Sequence, residues 1–350
     1  MFIKECRSLA GPDHRVSLVI TDGQGSSTVD GVEIVDAGRR SSRRLGRAIA
    51  GAARVFRAAR RLRADIYHIH DPELIPWALL LRAGGAKVVY DAHEHVPDDI
   101  LSKHYLPRPL VRPLSRIVGM LELAAAKRLS AVAAATPHIA ERFRGVCPAV
   151  EGIYNFPLID ELARAAPWQS RVRQACYTGG VSTNRGIRQL AKAAELCRSK
   201  VVIAGPLWDG LDMQKARELP GWQHLDYLGQ ISRDQVADLM ARSRVGVVTF
   251  LPTESHRTAL PNKLFEYMSA GIPVVASNFP LWREIVDETG SGLCVDPEDP
   301  RAIAEAMDRL TEDEPFSRRC ADNGIRAVAE KYNWATQACK LEQLYRRLAP

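Results

Sequence analysis

The sequence predicts an α/β protein of two Rossmann-like domains, each a parallel sheet covered by helices, facing one another across a cleft. Three observations predict it. Short apolar, β-branched runs alternate with helical segments along the whole chain, the pattern of parallel strands buried on both faces. At 177–186 a strand runs into glycines and then a helix. A chain of 350 residues, 46% hydrophobic, is long enough for two ordinary cores.

In the first half, the apolar runs place strands at 16–20, 32–36, 65–70, 87–91, 131–135 and 149–154, with helices near 2–10, 42–63, 73–83, 108–129 and 137–144. The polar stretch 155–173 reads as an interdomain linker between an N-terminal domain, 1–154, and a C-terminal domain, 174–332. There, strands fall at 174–178, 200–204, 224–228, 245–250, 274–277 and 292–295. Helices fall near 184–198, 232–243, 263–270, 281–287, 299–312 and 316–348, the last broken near Asn333. Ser232 with Gln235 forms a capping box. The segment 333–350 is a C-terminal helix open to crossing back to the N-terminal domain.

No apolar run approaches the 18 residues of a membrane span. Seven scattered cysteines without C-x-x-C spacing argue for a reducing compartment and against a zinc or disulfide framework. Gly23-Gln-Gly25 lacks the rest of a dinucleotide fingerprint, which disfavours a nicotinamide enzyme.

The most informative stretch is 258–277. A turn through Leu260, Pro261 and Asn262 leads into a short helix, which Gly271 ends before the next strand. The unpaired N–H groups and positive dipole end at its start favour an anion. Lys263 adds a full charge, and Glu266, one turn along, can accept from a diol. Diphosphate at the helix start and ribose on Glu266 would follow; an ordinary helix–strand unit with a solvated Lys–Glu pair is the plain alternative. In 177–186, Gly179 and Gly180 let backbone approach a phosphate, and Arg185 offers a planar fork for its oxygens. A plain strand–turn–helix with a surface arginine is the alternative here.

The run Pro261-Asn-Lys-Leu-Phe-Glu-Tyr-Met-Ser-Ala-Gly-Ile-Pro-Val-Val-Ala276 resembles the donor-nucleotide motif of GT-B glycosyltransferases of the retaining family 4 type. The bacterial branch that builds capsule, O-antigen and exopolysaccharide is the nearest in pattern. The resemblance runs from about residue 2 to the C-terminus. It implies that Glu266 holds the ribose of a sugar nucleotide, that Gly179, Gly180, Arg185, Asn262, Lys263 and Leu264 surround the diphosphate, and that His93 stands beside the donor sugar. His93, Arg185, Lys263 and Glu266 are thus the implied catalytic set.

Two departures matter. The family usually has Arg at Gly180 and Lys at Arg185, so the diphosphate is left to Arg185, Lys263 and backbone amides. The family's first motif glutamate is Thr258 here; Glu254 on the same loop is a substitute. No residue is a convincing covalent nucleophile, and the family implies front-face departure, with the leaving phosphate accepting the acceptor proton.

Alternation puts His68 and His70 on one strand face. They resemble a metal cluster, yet the family has a similar His-x-His without metal, so a structural or positioning role is expected. No Asp-x-Asp is present. With Arg185 and Lys263 available, this argues for metal-independent transfer: no metal and no cofactor, the nucleotide sugar being a substrate.

Charge is uneven. Residues 1–150 hold 23 Lys and Arg against 15 Asp and Glu, whereas 151–350 hold 25 against 26. Between Arg39 and Arg63 lie ten arginines and no acid. Helical spacing puts Arg43, Arg47, Arg54, Arg57 and Arg61 on one face and Leu45, Ile49, Ala52, Phe56 and Ala59 on the other. No aromatic interleaving or reading motif supports nucleic acid, so an anionic membrane surface is the expected partner. A second helix carries Arg108, Arg112 and Arg116 beside Leu110, Val111, Leu114, Ile117 and Val118; its apolar side is expected either in the domain or on a bilayer.

The sequence thus points to a cytoplasmic glycosyltransferase, peripheral on the inner face of the cell membrane. It would move a hexose from a UDP- or GDP-type donor to a lipid-linked or saccharide acceptor in cell-surface polysaccharide synthesis, the N-terminal domain taking the acceptor. Two rivals stay open: a catalytically silent GT-B subunit and a GT-B sugar-nucleotide 2-epimerase. Relatives begin one strand earlier, so the chain is expected to lack the first strand of its N-terminal sheet, with Met1 an internal methionine.

Overall fold

The structure, a computed structural model, describes residues 1–39, 50–101, 107–159, 161–162 and 166–349. Two compact units result: Met1–Tyr154 with Ala335–Pro350, and Asn155–Trp334.

The first unit holds two sheets. In one, β1 (Val16–Ile20) runs parallel to β3 (Val32–Asp36), and β2 (Ser27–Val29) pairs antiparallel with β3. The β2–β3 hairpin escapes the alternation pattern because β2 is short and exposed. Its turn residues, Asp30 and Gly31, have φ of 51° and 78°, the two left-handed positions of a tight hairpin. In the other sheet, β4 (Ile66–Ile69), β5 (Lys87–Ala92), β6 (Ala131–Ala134) and β7 (Val150–Gly152) pair in that order, all parallel. Val88, Tyr90, Leu129, Val132 and Phe143 form its core.

The chain opens on a π-helical turn, Phe2–Cys6, that buries Glu5 and Cys6. Of the arginine-rich helix, Ala52–Leu62 is described; Arg43 and Arg47 lie outside the described residues. Ala52 and Ala53 are buried and Phe56 packs on Trp77, while Arg57 and Arg61 are exposed. Arg54 is half-buried instead, its Nη2 donating to the Arg39 carbonyl at 2.7 Å. The helix Trp334–Leu348 supplies its residues from Ala335 onward to this unit, through Arg347–Glu151 at 2.9 Å and Gln337 accepting from the Tyr154 amide at 3.1 Å.

The second unit is one six-stranded parallel sheet. Its strands are β8 (Gln174–Thr178), β9 (Lys200–Ala204), β10 (Leu225–Tyr227), β11 (Val245–Val248), β12 (Val274–Ser277) and β13 (Gly292–Val295), in the order β10-β9-β8-β11-β12-β13. This is the doubly wound arrangement. Chain order proceeds outward in one direction from β8 and in the other from β11, so crossovers of one hand put helices on both faces. The topological switch lies between β8 and β11.

The expected capping box at Ser232 and Gln235 is formed. Residues 155–173, read as a linker, fall within this unit, where Phe156, Leu162 and Trp168 are buried. Phe156 meets Phe265 and Tyr332 edge to face, with ring centroids 4.7 and 5.3 Å apart. Trp168 lies under the Arg171 and Arg244 guanidinium groups. A few apolar anchors in a polar stretch are enough to dock it.

Candidate active site

In the second unit, ligand-binding potential concentrates at the carboxyl ends of β8 and β11, where the two halves of the sheet wind apart. β8 ends at Thr178 and delivers Gly179 and Gly180 to the crevice. Gly179 has φ +111°, and a Cβ there would stand 2.6 Å from the Lys263 Nζ, so Lys263 lies directly over that backbone. A Cβ on Gly180 would stand 2.4 Å from the Trp208 ring. That explains the missing arginine at this position: Trp208, from the loop after β9, fills the space a side chain would need.

Arg185 follows on the same turn. Its guanidinium lies 4.6 Å from the Trp208 ring centroid and 5.2 Å from that of Phe250, the residue that leaves β11. Lys263 Nζ lies 5.3 Å from the Tyr177 ring and 5.5 Å from the Phe250 ring. Two cations are therefore held among three aromatic faces. Among the described residues, neither has a carboxylate within ion-pair distance. Burial, and next the Arg185 charge, lower Lys263 from 10.5 to about 8. Burial and Arg185 likewise lower His256, whose Nδ1 lies 3.0 Å from the Leu251 carbonyl oxygen.

Lys263 belongs to the helix Asn262–Ser269, which starts after Pro261 with no side-chain cap, so its first N–H groups stay available. Asn262 is exposed at the first position. Leu264 points into the core, and its amide donates to the Pro261 carbonyl at 3.1 Å, so it offers an anion neither side chain nor a free N–H. Glu266 is partly enclosed and its Oε1 accepts from Arg233 Nη2 at 2.7 Å. Arg233 also donates through Nε to Glu161 Oε1 at 2.9 Å. The Glu161–Arg233–Glu266 chain orients one Glu266 oxygen and leaves Oε2 for another donor. Thr258 closes a short exposed helix, Glu254–Thr258, and Glu254 at its start is exposed.

Sequence reasoning brought Gly179, Gly180, Arg185, Lys263 and Glu266 to this unit, but missed Trp208, Phe250, Tyr177 and Arg233. The signal for Trp208 was its place in a loop after a strand adjacent to β8. Arg233 carried none, because its partners lie 72 and 33 residues away.

His93 lies in the first unit, just past β5, in a separate cluster. Oδ2 of buried Asp91 is approached by His93 Nε2 at 3.1 Å, His70 Nδ1 at 3.2 Å and His68 Nε2 at 3.5 Å. His68 and His70 stack 4.8 Å apart, as strand alternation requires. His68 Nδ1 meets Tyr345 Oη at 2.7 Å, and Glu5 faces His70 Nε2 at 3.4 Å. Burial works against the Asp91 charge, but hydrogen bonds from His68, His70 and His93 hold its pKa well below the usual carboxylate range. The Asp91 hydrogen bond raises His93 above an ordinary histidine, against burial.

Glu5, His70, Asp91 and His93 hold their donor atoms within 4.8 Å of one another, as do His95, Asp98 and His138. Both sets offer the donor types of a divalent cation site. In the first, His70 Nδ1 and His93 Nε2 also meet each other, 3.1 Å apart.

The fold is that of the GT-B class, two Rossmann-like halves with parallel sheets. Comparison with known proteins narrows the class. The family described as "Glycosyltransferase Family 4" matches residues 3–156, and "Glycosyl transferases group 1" matches 159–327. The O-antigen chain mannosyltransferase B of Escherichia coli is 27% identical over 194 residues, 52% of this chain and 47% of that protein. Sucrose-phosphate synthase of Thermosynechococcus elongatus superposes with a TM-score of 0.77 at 17% identity, over 98% of this chain and 91% of that one. Anabaena HepE in complex with UDP superposes with a TM-score of 0.69, also at 17% identity, over 90% and 86%. This chain belongs to the family 4-like GT-B glycosyltransferases. It spans about half the length of the curated relatives it matches first.

Proposed function

We propose that the protein is a retaining, metal-independent hexosyltransferase. It takes a UDP- or GDP-type sugar nucleotide and passes the sugar to a lipid-linked or saccharide acceptor in cell-surface polysaccharide synthesis, working on the cytoplasmic face of an anionic membrane. The observation that carries this reading is the pair Arg185 and Lys263, held among aromatic rings at the switch point with no carboxylate in ion-pair contact among the described residues, Glu266 acting on Lys263 only from a distance. Two cations so held lack an anion, and a diphosphate supplies it. The HepE–UDP neighbour and the O-antigen relative support the donor class and the polymer.

Chemically, the leaving diphosphate gains negative charge as the glycosidic bond breaks. Preorganised cations there lower the barrier and raise the rate by about two to three orders of magnitude per group. In this reading the Glu266 Oε2 binds the ribose diol, and His93, whose pKa the Asp91 hydrogen bond raises against burial, serves the transferred sugar. The test is titration with UDP, GDP and ADP, read by thermal shift, followed by a transfer assay with and without EDTA. The expected result is binding of one diphosphate class and turnover that EDTA leaves unchanged. No binding of any diphosphate, or turnover that EDTA abolishes and manganese restores, overturns it.

The silent-subunit reading has one structural observation in its favour. Arg233 already occupies Glu266, and with Thr258 in place of a glutamate the site has little carboxylate left for a sugar. Binding without turnover for any donor and acceptor would establish it.

A further inference from the structure

The carboxyl ends of β4 and β5 set three donor atoms in a triangle. His70 Nδ1 lies 3.2 Å from Asp91 Oδ2, His93 Nε2 lies 3.1 Å from the same oxygen, and the two nitrogens lie 3.1 Å apart. Three ligand atoms bound to one divalent cation at about 2.0–2.1 Å stand about 2.9 Å apart when octahedral and about 3.3 Å apart when tetrahedral. The triangle falls between the two. Hydrogen bonding fits it less well. His70 Nε2 faces Glu5 Oε2 at 3.4 Å. In a neutral ring, a proton on Nε2 leaves Nδ1 as a bare lone pair turned to the Asp91 carboxylate. A metal-bound imidazole has that arrangement, one nitrogen on the ion and the other held by a carboxylate. Asp91 is fixed by burial, its side chain 3% exposed, whereas the His93 side chain is 45% exposed and leaves the outer side of the triangle open to water.

We propose that His70, Asp91 and His93 bind a first-row transition cation such as zinc, with Glu5 holding the His70 ring behind it, and that the bound ion withdraws His93 from the transferred sugar. Two imidazole nitrogens and one carboxylate select such an ion over magnesium or calcium, which take oxygen ligands. Three protein ligands with a position left for water compose an open zinc site, not a closed structural one. The ion takes the lone pair of His93 Nε2, and any proton on that nitrogen leaves to solvent. The inhibitory part rests on the role given to His93 above; the site itself does not. Transfer remains metal-independent, and the ion acts as an inhibitor. The second candidate set supplies a control: His95 Nδ1 lies 2.7 Å from Asp98 Oδ2, and His138 is exposed.

The experiment titrates the full chain, untagged and freed of metal by a chelator, with cobalt(II), whose visible absorption reports its coordination, and then displaces the cobalt with zinc. It compares wild type with Glu5→Gln, His70→Gln, His93→Gln and the control His95→Gln/His138→Gln. Circular dichroism and thermal midpoint without metal show that each is folded. Expected are one ion per chain, loss of the cobalt band in His70→Gln and in His93→Gln, an affinity lower by about tenfold or more in Glu5→Gln, and full binding by the control. Zinc should also raise the wild-type thermal midpoint, as a ligand of the native state does. In the transfer assay zinc should suppress turnover of the metal-free protein and EDTA should restore it. The ratio of turnover with zinc to turnover without it should approach one in His70→Gln. No cobalt band in wild type, or a band that survives in His70→Gln and His93→Gln and disappears in the control, overturns the site whatever the transfer assay shows. The expected variant pattern with turnover untouched by zinc keeps the ion and removes His93 from the sugar, so that failure falls on the function proposed above.

Discussion

Nucleotide binding should weaken in a defined pH window, and Lys263 sets it. In the free protein, burial and then the Arg185 charge bring this lysine from 10.5 to about 8. At 1.36 kcal/mol per pKa unit, the charged form is disfavoured by about 3 kcal/mol relative to an exposed lysine. A bound diphosphate opposes the shift, because it offsets the Arg185 repulsion and sets negative charge beside the buried ammonium. Binding above pH 8 therefore takes up a proton. The sign follows: only the ammonium form attracts the anion, so affinity falls as pH rises. About nine-tenths of sites are competent at pH 7 and about one-tenth at pH 9, a fall of about tenfold. The phosphate groups do not supply the slope, since their last proton leaves near pH 6. Calorimetric titration with UDP or GDP at pH 7, 8 and 9, in buffers of different ionisation enthalpy, reads affinity and proton uptake together. Uptake should approach one proton per site at pH 9 and be close to zero at pH 7. Lys263→Arg, whose guanidinium stays charged, should bind with no such slope. Flat wild-type affinity from pH 7 to 9, or the same slope in Lys263→Arg, refutes the reasoning. The same depressed pKa makes folding stability rise with pH between about 8 and 10.5, where the unfolded chain holds the proton more tightly.

Four further outcomes are expected. Glu266→Ala should weaken every nucleotide by about 1.5–3 kcal/mol, the worth of a charge-assisted hydrogen bond, with circular dichroism unchanged; unaltered affinity would remove Glu266 from the ribose. Trp208→Ala should cost about 0.5–1 kcal/mol of diphosphate affinity by freeing Arg185. Gly180→Arg should be tolerated only when Trp208 is truncated as well, which thermal denaturation of the single and double variants will show. The Asp91 cluster should stabilise the protein most in mildly acidic solution. The raised His93 contributes below its ordinary pKa near 6.5 and loses that contribution as pH rises through the raised value, while depressed Asp91 contributes above about 3.9 and loses it as pH falls. Asp91→Asn should flatten that optimum in thermal-midpoint measurements across pH 3–9.

The strand–helix alternation of the second unit was legible because fully buried parallel strands read as continuous apolar runs. Gln174–Thr178 and Lys200–Ala204 match their predicted bounds residue for residue. Short, exposed or polar elements were not legible by that signal. Ser27–Val29 has no buried face to pattern, although Asp30-Gly31 between Val29 and Val32 was a usable hairpin cue. Glu254–Thr258 is a single turn defined by the Thr253 cap. The segment 155–173 looked polar as a whole, yet Phe156 and Trp168 decide its placement. Around Lys263 the sequence supplied the cations and glycines, but the rings that hold them come from three different strand ends. Such contacts have no local spacing to read.

The same limit explains the helix Arg108–Ala126. Periodicity shows that it is amphipathic, and amphipathicity alone suggests that the apolar side is inside. Which side is buried was settled by distant partners: Pro97, Tyr90 and Arg142 offer a carbonyl, a hydroxyl and a guanidinium, and these suit Ser115, Gly119 and Glu122 better than leucines. A helix that buries its polar stripe leaves its apolar one in water, at a cost per side chain of about 1.5–3 kcal/mol relative to burial. The second unit holds the complementary imbalance, two like charges brought together among aromatic rings with no ion-paired carboxylate among the described residues. In the proposed reading an incoming diphosphate would relieve the repulsion between those two cations, which is why its binding is expected to take up a proton.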